Sequence, residues 1–484
     1  MSFNPYDDEF GFFAPIAPPD PADHSEDTTT VSRRDLLRHG AAAVVGGAAL
    51  SGASAFAQAP AVQTSRTKNM TGTKFRAYVR HADFRTTTVE TVTLREIHPR
   101  QVVIRTEAAQ ACYTIVPALA PVRPNPNPAP AYPGAPPPAP PNPAALNAAI
   151  VGHGGVGIVE QVGAMVKRVE VGDRVIVPVT AQCGECYNCL RGRGDRCQSG
   201  VNRPLIPMAS LSDGSPVNGN LGAFAEYMVA WEEQTVPIFS KHNAAELSLL
   251  SCVATTGLGL AMMRVPVEAG SNVVVFGAGP VGLSAIQGAR IQSASKIIAV
   301  EPVRYRRDLA TKLGATAVVD PNVDTNNLVQ KLREMCQGET DRAFAGGRGP
   351  AADGPDFIIE AVGGDRFKPT VEQGPDPSGA LVLQHAWALC PPGGWIRTSG
   401  VGQPAGTAVS FPAGAWSNGT KQQAGGNFAG VNTKRDIPTF VRLIETGRFD
   451  AKSLIGKSYK LEQSKDALQN AADRATISSI VEFT

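Results

Sequence analysis

The sequence predicts an α/β protein in which a β-rich domain is followed by a doubly wound parallel sheet. Three observations carry this. Short runs of strand type begin at Phe75 and continue to about Val236, as in Thr91-Val92-Thr93-Leu94 and Gln101-Val102-Val103-Ile104-Arg105. Beyond Ala244 the rhythm changes to apolar strands alternating with helices. A glycine turn, Gly277-Ala278-Gly279-Pro280-Val281-Gly282, joins the first of those strands to a helix. Alternation of this kind buries a parallel sheet between helices on both faces.

The elements follow in order. Residues 117–143 hold 13 prolines in 27 positions, which predicts an extended insert without regular structure, because proline fixes φ and has no amide hydrogen to donate. Strand and turn patterns resume at Ile150. Val273–Phe276 is wholly apolar, as a strand covered on both faces should be, and Val281–Arg290 reads as the helix behind it. Lys296–Val300, the helix Arg304–Leu313 and the strand Ala317-Val318-Val319 continue the alternation. Residues 342–355, rich in glycine, read as a surface loop, and Asp356–Val362 and Trp395–Gly400 as further strands. No internal repeat is evident.

Charge and composition narrow the function. The 484 residues carry 45 Lys+Arg against 43 Asp+Glu, with no basic excess of the kind a nucleic-acid surface needs. No apolar run reaches the ~18–20 residues that a membrane-spanning helix requires. Residues 1–57 read as an export signal. Ser32-Arg33-Arg34-Asp35-Leu36-Leu37-Arg38 precedes a weakly apolar stretch from Gly40 to Phe56, and Ala55 and Ala57 suit a peptidase cutting after Ala57. The paired arginines resemble a twin-arginine signal, which implies an exported, periplasmic protein. That segment holds eight acids and three bases, so the remaining chain has 42 bases and 35 acids, a net of +7.

Eight cysteines are too few for a disulfide scaffold of this length, so their spacing matters more. Cys183, Cys186 and Cys189, with Cys197 eight positions on, can close a tetrahedral thiolate cage around one zinc. A closed cage has no open position and is structural. Disulfides, free thiols or a nucleic-acid-binding zinc ribbon are the other readings; Arg191, Arg193 and Arg196 lie nearby, but no aromatic platform accompanies them. At the glycine turn, Gly277, Gly279 and Gly282 let a pyrophosphate approach the amides of a helix N-terminus. Glu301 ends the next strand, 19 residues after Gly282. A carboxylate there binds both hydroxyls of an adenine ribose and repels a 2′-phosphate, so NAD is expected rather than NADP.

Cys112 with Thr114, His153 within Gly152-His153-Gly154-Gly155-Val156-Gly157, and Cys252 shortly before Thr256-Gly257 are scattered. Taken singly, the cysteines fit buried small hydrophobes and His153 a satisfied polar group in a turn. Nothing in composition unites them.

A family resemblance does. Those segments, together with Val171-Gly-Asp-Arg-Val175, the four-cysteine lobe, Gly222-Ala-Phe-Ala-Glu-Tyr227, the glycine turn and Glu301, occur in one order. From Phe75 onward the chain resembles the zinc-dependent medium-chain alcohol dehydrogenases. The resemblance implies a GroES-like catalytic domain at 58–253, containing the insert 117–143 and a structural zinc lobe at 183–197. It implies an NAD-binding Rossmann domain at 254–415 and a return to the catalytic domain at 416–484. Cys112, His153 and Cys252 would bind a catalytic zinc, making two zincs per chain, with the fourth position open to water or the substrate oxygen. Thr114 would relay the substrate proton, and Thr256 and Val281 would pack against the nicotinamide. The implied activity is reversible hydride transfer between an alcohol and NAD, in a homo-oligomer, dimer or tetramer.

Four positions depart from the family pattern. Gly154 stands where a carboxylate usually follows the ligand histidine, and Ile115 where an acidic residue is expected three positions after Cys112. Such carboxylates orient ligand imidazoles. Pro117 replaces a histidine that often ends the proton relay, and Tyr113 an arginine that commonly binds pyrophosphate. Two other readings accompany the main one: a nicotinoprotein that keeps NAD bound and reduces an external acceptor, and a non-catalytic homologue that binds zinc and NAD. The expected partner is a small alcohol or carbonyl compound, with no nucleic acid and no membrane span.

Overall fold

In a computed structural model, the described residues are 68–120, 143–200, 203–219, 221–323, 326–337, 354–365, 367–403, 407–414 and 420–483. The export segment 1–57, most of the Pro-rich insert and most of the 342–355 loop lie outside them. The ends of the insert are not extended: Pro117 sits inside a 3-10 turn, Tyr113–Leu119, and Pro143 opens another, Pro143–Leu146. Proline's fixed φ is compatible with such turns as well as with extended chain.

The β-rich part has two layers. Lys74–Arg80 and Thr87–Leu94 close a barrel with Ala209–Ser210, Pro216–Asn218 and Ala148–Ile150. A seven-stranded sheet lies beside it, organised on Gln101–Ala111, which pairs with Gly155–Val162, Tyr227–Trp231 and Ser479–Glu482. Val102, Val103 and Ile104 are fully buried, so this strand is the axis of the domain, and its end delivers Cys112.

The second part is the expected doubly wound sheet. Its six parallel strands run Ala317–Val319, Lys296–Val300, Asn272–Phe276, Phe357–Glu360, Trp395–Thr398, Gln422–Ala424. Successive side chains of a strand face opposite ways. Val273 and Val275 therefore join the core under the helices Val253–Met262, Pro280–Ile291 and Arg304–Leu313, while Val274 and Phe276 face Leu328–Cys336 and Ala380–Leu389. The strand order reverses between Asn272–Phe276 and Phe357–Glu360, which opens a ligand crevice at their carboxyl ends.

The sheet extends past the expected boundary at 415. Gln422–Ala424 pairs in parallel with Trp395–Thr398, and the chain rejoins the β-rich sheet only at Lys457–Tyr459 and Ser479–Glu482. Gln422-Gln423-Ala424 is an edge strand too short and polar to carry an apolar signature. Arg397 holds this edge. Fully buried, it donates to the carbonyls of Gly259, Met263, Val265, Ala424 and Ala429, and burial lowers its pKa to about 10. Among the described residues no single helix is long and apolar enough to cross a membrane.

Candidate active site and metal centres

Three unrelated elements bring Cys112, His153 and Cys252 together. Cys112 ends the strand Gln101–Ala111, and His153 lies in the turn before Gly155–Val162. Cys252 occupies a break, φ −148 and ψ −81, between the 3-10 turn Leu249–Ser251 and the helix Val253–Met262. Their ligand atoms all lie within 4.8 Å of one another. The two sulfurs are 3.8 Å apart. That is far beyond the ~2.05 Å of a disulfide, and it matches the edge of a tetrahedron built from zinc–sulfur bonds of about 2.3 Å. The hydrogen bond from Cys252 and the neighbouring His153 outweigh burial and hold the Cys112 thiol well below its ordinary range. The hydrogen bond with Cys112, and then burial, push the Cys252 thiol well above it. A zinc ion in place of that shared proton fits the donor set.

The Thr114 hydroxyl donates to Cys112 Sγ at 3.3 Å and lies 2.9 Å from His153 Nε2. His153 Nδ1 is buried with no hydrogen-bond partner. This orphan nitrogen is what the absence of a carboxylate at Gly154 and Ile115 leaves behind. Gly154 has φ +126, and a Cβ added there would stand 2.2 Å from the Val177 carbonyl oxygen. No side chain fits, so the backbone itself excludes the carboxylate. Ile115 packs against the β-rich core instead.

The second cluster gathers the sulfurs of Cys183, Cys186, Cys189 and Cys197 within 4.8 Å of one another. All eight cysteines are unbridged, which removes the disulfide reading. The Cys183 amide donates to Cys197 Sγ at 3.2 Å and the Cys186 amide to Cys183 Sγ at 3.3 Å. Amide donors favour thiolates. Burial opposes ionisation of Cys186, but the amides of Gln198 and Cys189 outweigh it and hold this thiol at about 6. Burial, with the thiols of Cys186 and Cys197, pushes Cys189 up to about 12. Four converging sulfurs fit one structural zinc.

A groove runs from the first cluster along the crevice of the parallel sheet. Cys112 and Thr114 line one end, Gly277, Gly279 and Val281 the middle, and Glu301, Pro302 and Arg306 the far end. Gly282 stands behind the turn, where a Cβ would lie 1.8 Å from the Gly277 carbonyl oxygen, so only glycine lets the helix start this close to the strand. Glu301 is 3% exposed; it accepts from the Ala278 amide at 2.6 Å and the Val303 amide at 3.0 Å. The carboxylate thus braces the glycine turn as well as facing the groove. Thr256 stands in the first turn of the helix Val253–Met262, 7% exposed. Its hydroxyl donates to the Cys252 carbonyl at 2.9 Å, and Val253, one turn earlier, lines the groove. The sequence reading also missed Glu360, a second strand-end carboxylate, which accepts from the amides of Val362, Gly363 and Gly400. Its position matched that of Glu301 and could have flagged it.

A groove that joins a three-ligand cluster to a glycine turn and a strand-end carboxylate is the arrangement of a metal-dependent dehydrogenase. Comparison with known proteins narrows the class. The family described as alcohol dehydrogenase GroES-like domain matches residues 98–240, and that described as zinc-binding dehydrogenase matches 280–383. Alcohol dehydrogenase-like 7 of Arabidopsis thaliana is 30% identical over 332 residues, 66% of this chain and 77% of that protein. S-(hydroxymethyl)glutathione dehydrogenase of Saccharomyces cerevisiae is 37% identical over 217 residues, but the match covers 42% of this chain and only 56% of the relative. The structure of benzyl alcohol dehydrogenase from Acinetobacter calcoaceticus has a TM-score of 0.66 at 25% identity, covering 85% of this chain and 99% of that one. The chain belongs to the zinc-type medium-chain alcohol dehydrogenase family.

Proposed function

We propose that this chain oxidises an alcohol to an aldehyde or ketone, reversibly, with NAD as the hydride acceptor. The observation that carries the reading is a groove that runs from Cys112 and Thr114, at the edge of the Cys112–His153–Cys252 cluster, to the glycine turn and Glu301. Zinc held by those three ligands would supply a Lewis acid for the substrate oxygen. Thr114 Oγ1 stands beside two of the ligands and takes up the proton of the substrate hydroxyl. Pro117 cannot pass that proton on, so it leaves through water or the cofactor ribose. The amides opening Pro280–Ile291 receive the pyrophosphate, Val253 and Val281 give the nicotinamide an apolar wall, and the charge of Glu301 disfavours a 2′-phosphate. The relatives are named dehydrogenases, which favours catalysis over a non-catalytic role. The test is an alcohol panel with added NAD, followed by NADH absorbance. No signal with any alcohol from protein holding two zincs would sink the assignment.

Export is a second part of the proposal, supported by Arg33-Arg34 ahead of the Gly40–Phe56 stretch. Replacing both arginines by lysine should leave the protein uncleaved in the cytoplasm; unchanged export would exclude the twin-arginine route. The family resemblance supports a homo-oligomer, dimer or tetramer, which sedimentation would read directly.

A further inference from the structure

Tyr113 leaves the groove without an arginine beside Cys112, yet a cation reaches the same space from another element. Arg474 caps the helix Ser464–Asp473 in the left-handed conformation, φ 55 and ψ 24. Glycine or asparagine is favoured there, because a larger side chain crowds its own carbonyl. Strain of this kind clusters at functional sites. The Arg474 side chain is 16% exposed, lies over the Tyr113 ring at 5.5 Å from its centroid, pairs with Asp365 and lines the groove. Its carbonyl accepts from the Tyr305 hydroxyl at 2.6 Å. Tyr305 stands in the first turn of Arg304–Leu313, four residues beyond Glu301.

Arg474 is therefore pinned between two landmarks. Tyr113 adjoins Cys112, at the nicotinamide end, and Tyr305 adjoins the carboxylate expected to bind the adenine ribose. A dinucleotide spanning both ends has its pyrophosphate between them. We propose that Arg474 neutralises the pyrophosphate of bound NAD, giving up its ion pair with Asp365 for the phosphate oxygens. The inference rests on the NAD reading above.

Asp365 acts as the stand-in. A mostly buried guanidinium without a counter-charge is costly, and a carboxylate offers it the same planar acceptor pair that a phosphate does. Asp365 lies in the connection 361–379, among whose described residues there is no helix or strand. Connections this long are usually binding loops or lids. This one reaches the β-rich domain, where the Phe367 amide donates to the Tyr113 hydroxyl at 3.4 Å and the Thr370 amide to the Asp473 carbonyl at 3.3 Å. Binding of the pyrophosphate thus releases one of the ties between this loop and the helix that Arg474 caps.

The experiment is calorimetric titration of full-length protein, freed of nucleotide on charcoal, with ADP-ribose and with adenosine, which lacks phosphates. Arg474→Gln should weaken ADP-ribose binding about tenfold to a hundredfold and leave adenosine within about twofold. Asp365→Asn should act in the opposite direction and tighten ADP-ribose, because the competing charge is gone. Unchanged ADP-ribose affinity in Arg474→Gln, or an equal loss for adenosine, would overturn the proposal. If Arg474→Gln does not fold, Asp365→Asn decides alone, and unchanged or weaker binding refutes it. Wild-type protein binding neither ADP-ribose nor NADH would overturn the NAD reading itself.

Discussion

Replacing Gly154 by alanine tests whether the backbone forbids the carboxylate that His153 lacks. At φ +126 an L-residue is strained by ~1–3 kcal/mol. The new Cβ would also meet the Val177 carbonyl oxygen at 2.2 Å and the Ser251 Cβ at 3.4 Å. Val177 cannot retreat freely, because it is held in register opposite Gly155, so the overlap adds ~1–3 kcal/mol. The total is about 4 kcal/mol, which for a protein of this size lowers Tm by about 5 °C. Relief by backbone movement would shift the adjacent His153 and loosen one of three ligands. Differential scanning fluorimetry and zinc analysis after dialysis read both effects. The expected variant melts lower and keeps the zinc of the 183–197 lobe while losing the other. An alanine variant with wild-type Tm and both zincs would refute the argument.

Cys252→Ser should remove one zinc and abolish alcohol-dependent NADH formation while the four-cysteine lobe stays loaded; undiminished turnover would exclude Cys252 as a ligand. Glu301→Gln should narrow the preference for NAD over NADP by about tenfold or more, read as the ratio of kcat/KM values, since a carboxylate facing a 2′-phosphate repels it. Arg397→Met removes the donor to five backbone carbonyls and should cost about 3–5 kcal/mol in urea unfolding with zinc content unchanged. Acid should release the lobe zinc. The Cys186 thiol, ordinarily near 9, is held at about 6 in the fold. Its depressed value contributes stability that is present above the unfolded value and lost as pH falls through about 6. Zinc retention under chelator should therefore weaken progressively as pH falls from about 9 to 6; a lobe equally retentive at pH 9 and pH 5 would contradict this.

The parallel sheet was legible because Val273–Phe276 and Lys296–Val300 are continuous apolar runs around a glycine turn. Its last strand was not, since Gln422-Gln423-Ala424 has no such pattern and is held by Arg397 from a distant position. The four-cysteine lobe announced itself through local spacing. Cys112, His153 and Cys252 did not, because their proximity is made by tertiary folding of a strand end, a turn and a helix break, and only family resemblance joined them. Val253, which lines the groove one turn before Thr256, carried no such signal, because its exposure to the crevice is set by how the helix docks. Arg474 carried no sequence signal, for a helix cap becomes a groove residue only once the helix is docked.

Cys112 and His153 hang from the β-rich sheet, whereas Cys252 heads the helix Val253–Met262, which packs on Pro280–Ile291 so closely that a Cβ on Gly257 would meet the Val281 carbonyl oxygen at 2.2 Å. Arg397 clamps the other end of that helix to the far edge of the parallel sheet. The three-ligand cluster thus fastens the β-rich sheet to a helix covering the parallel sheet, across an apolar core that both share. It is complete only when a strand end, a turn and a helix break are packed together, so zinc held there reports the docked state. Stripping that zinc should loosen this seam, while the apolar core shared by the two parts keeps them docked.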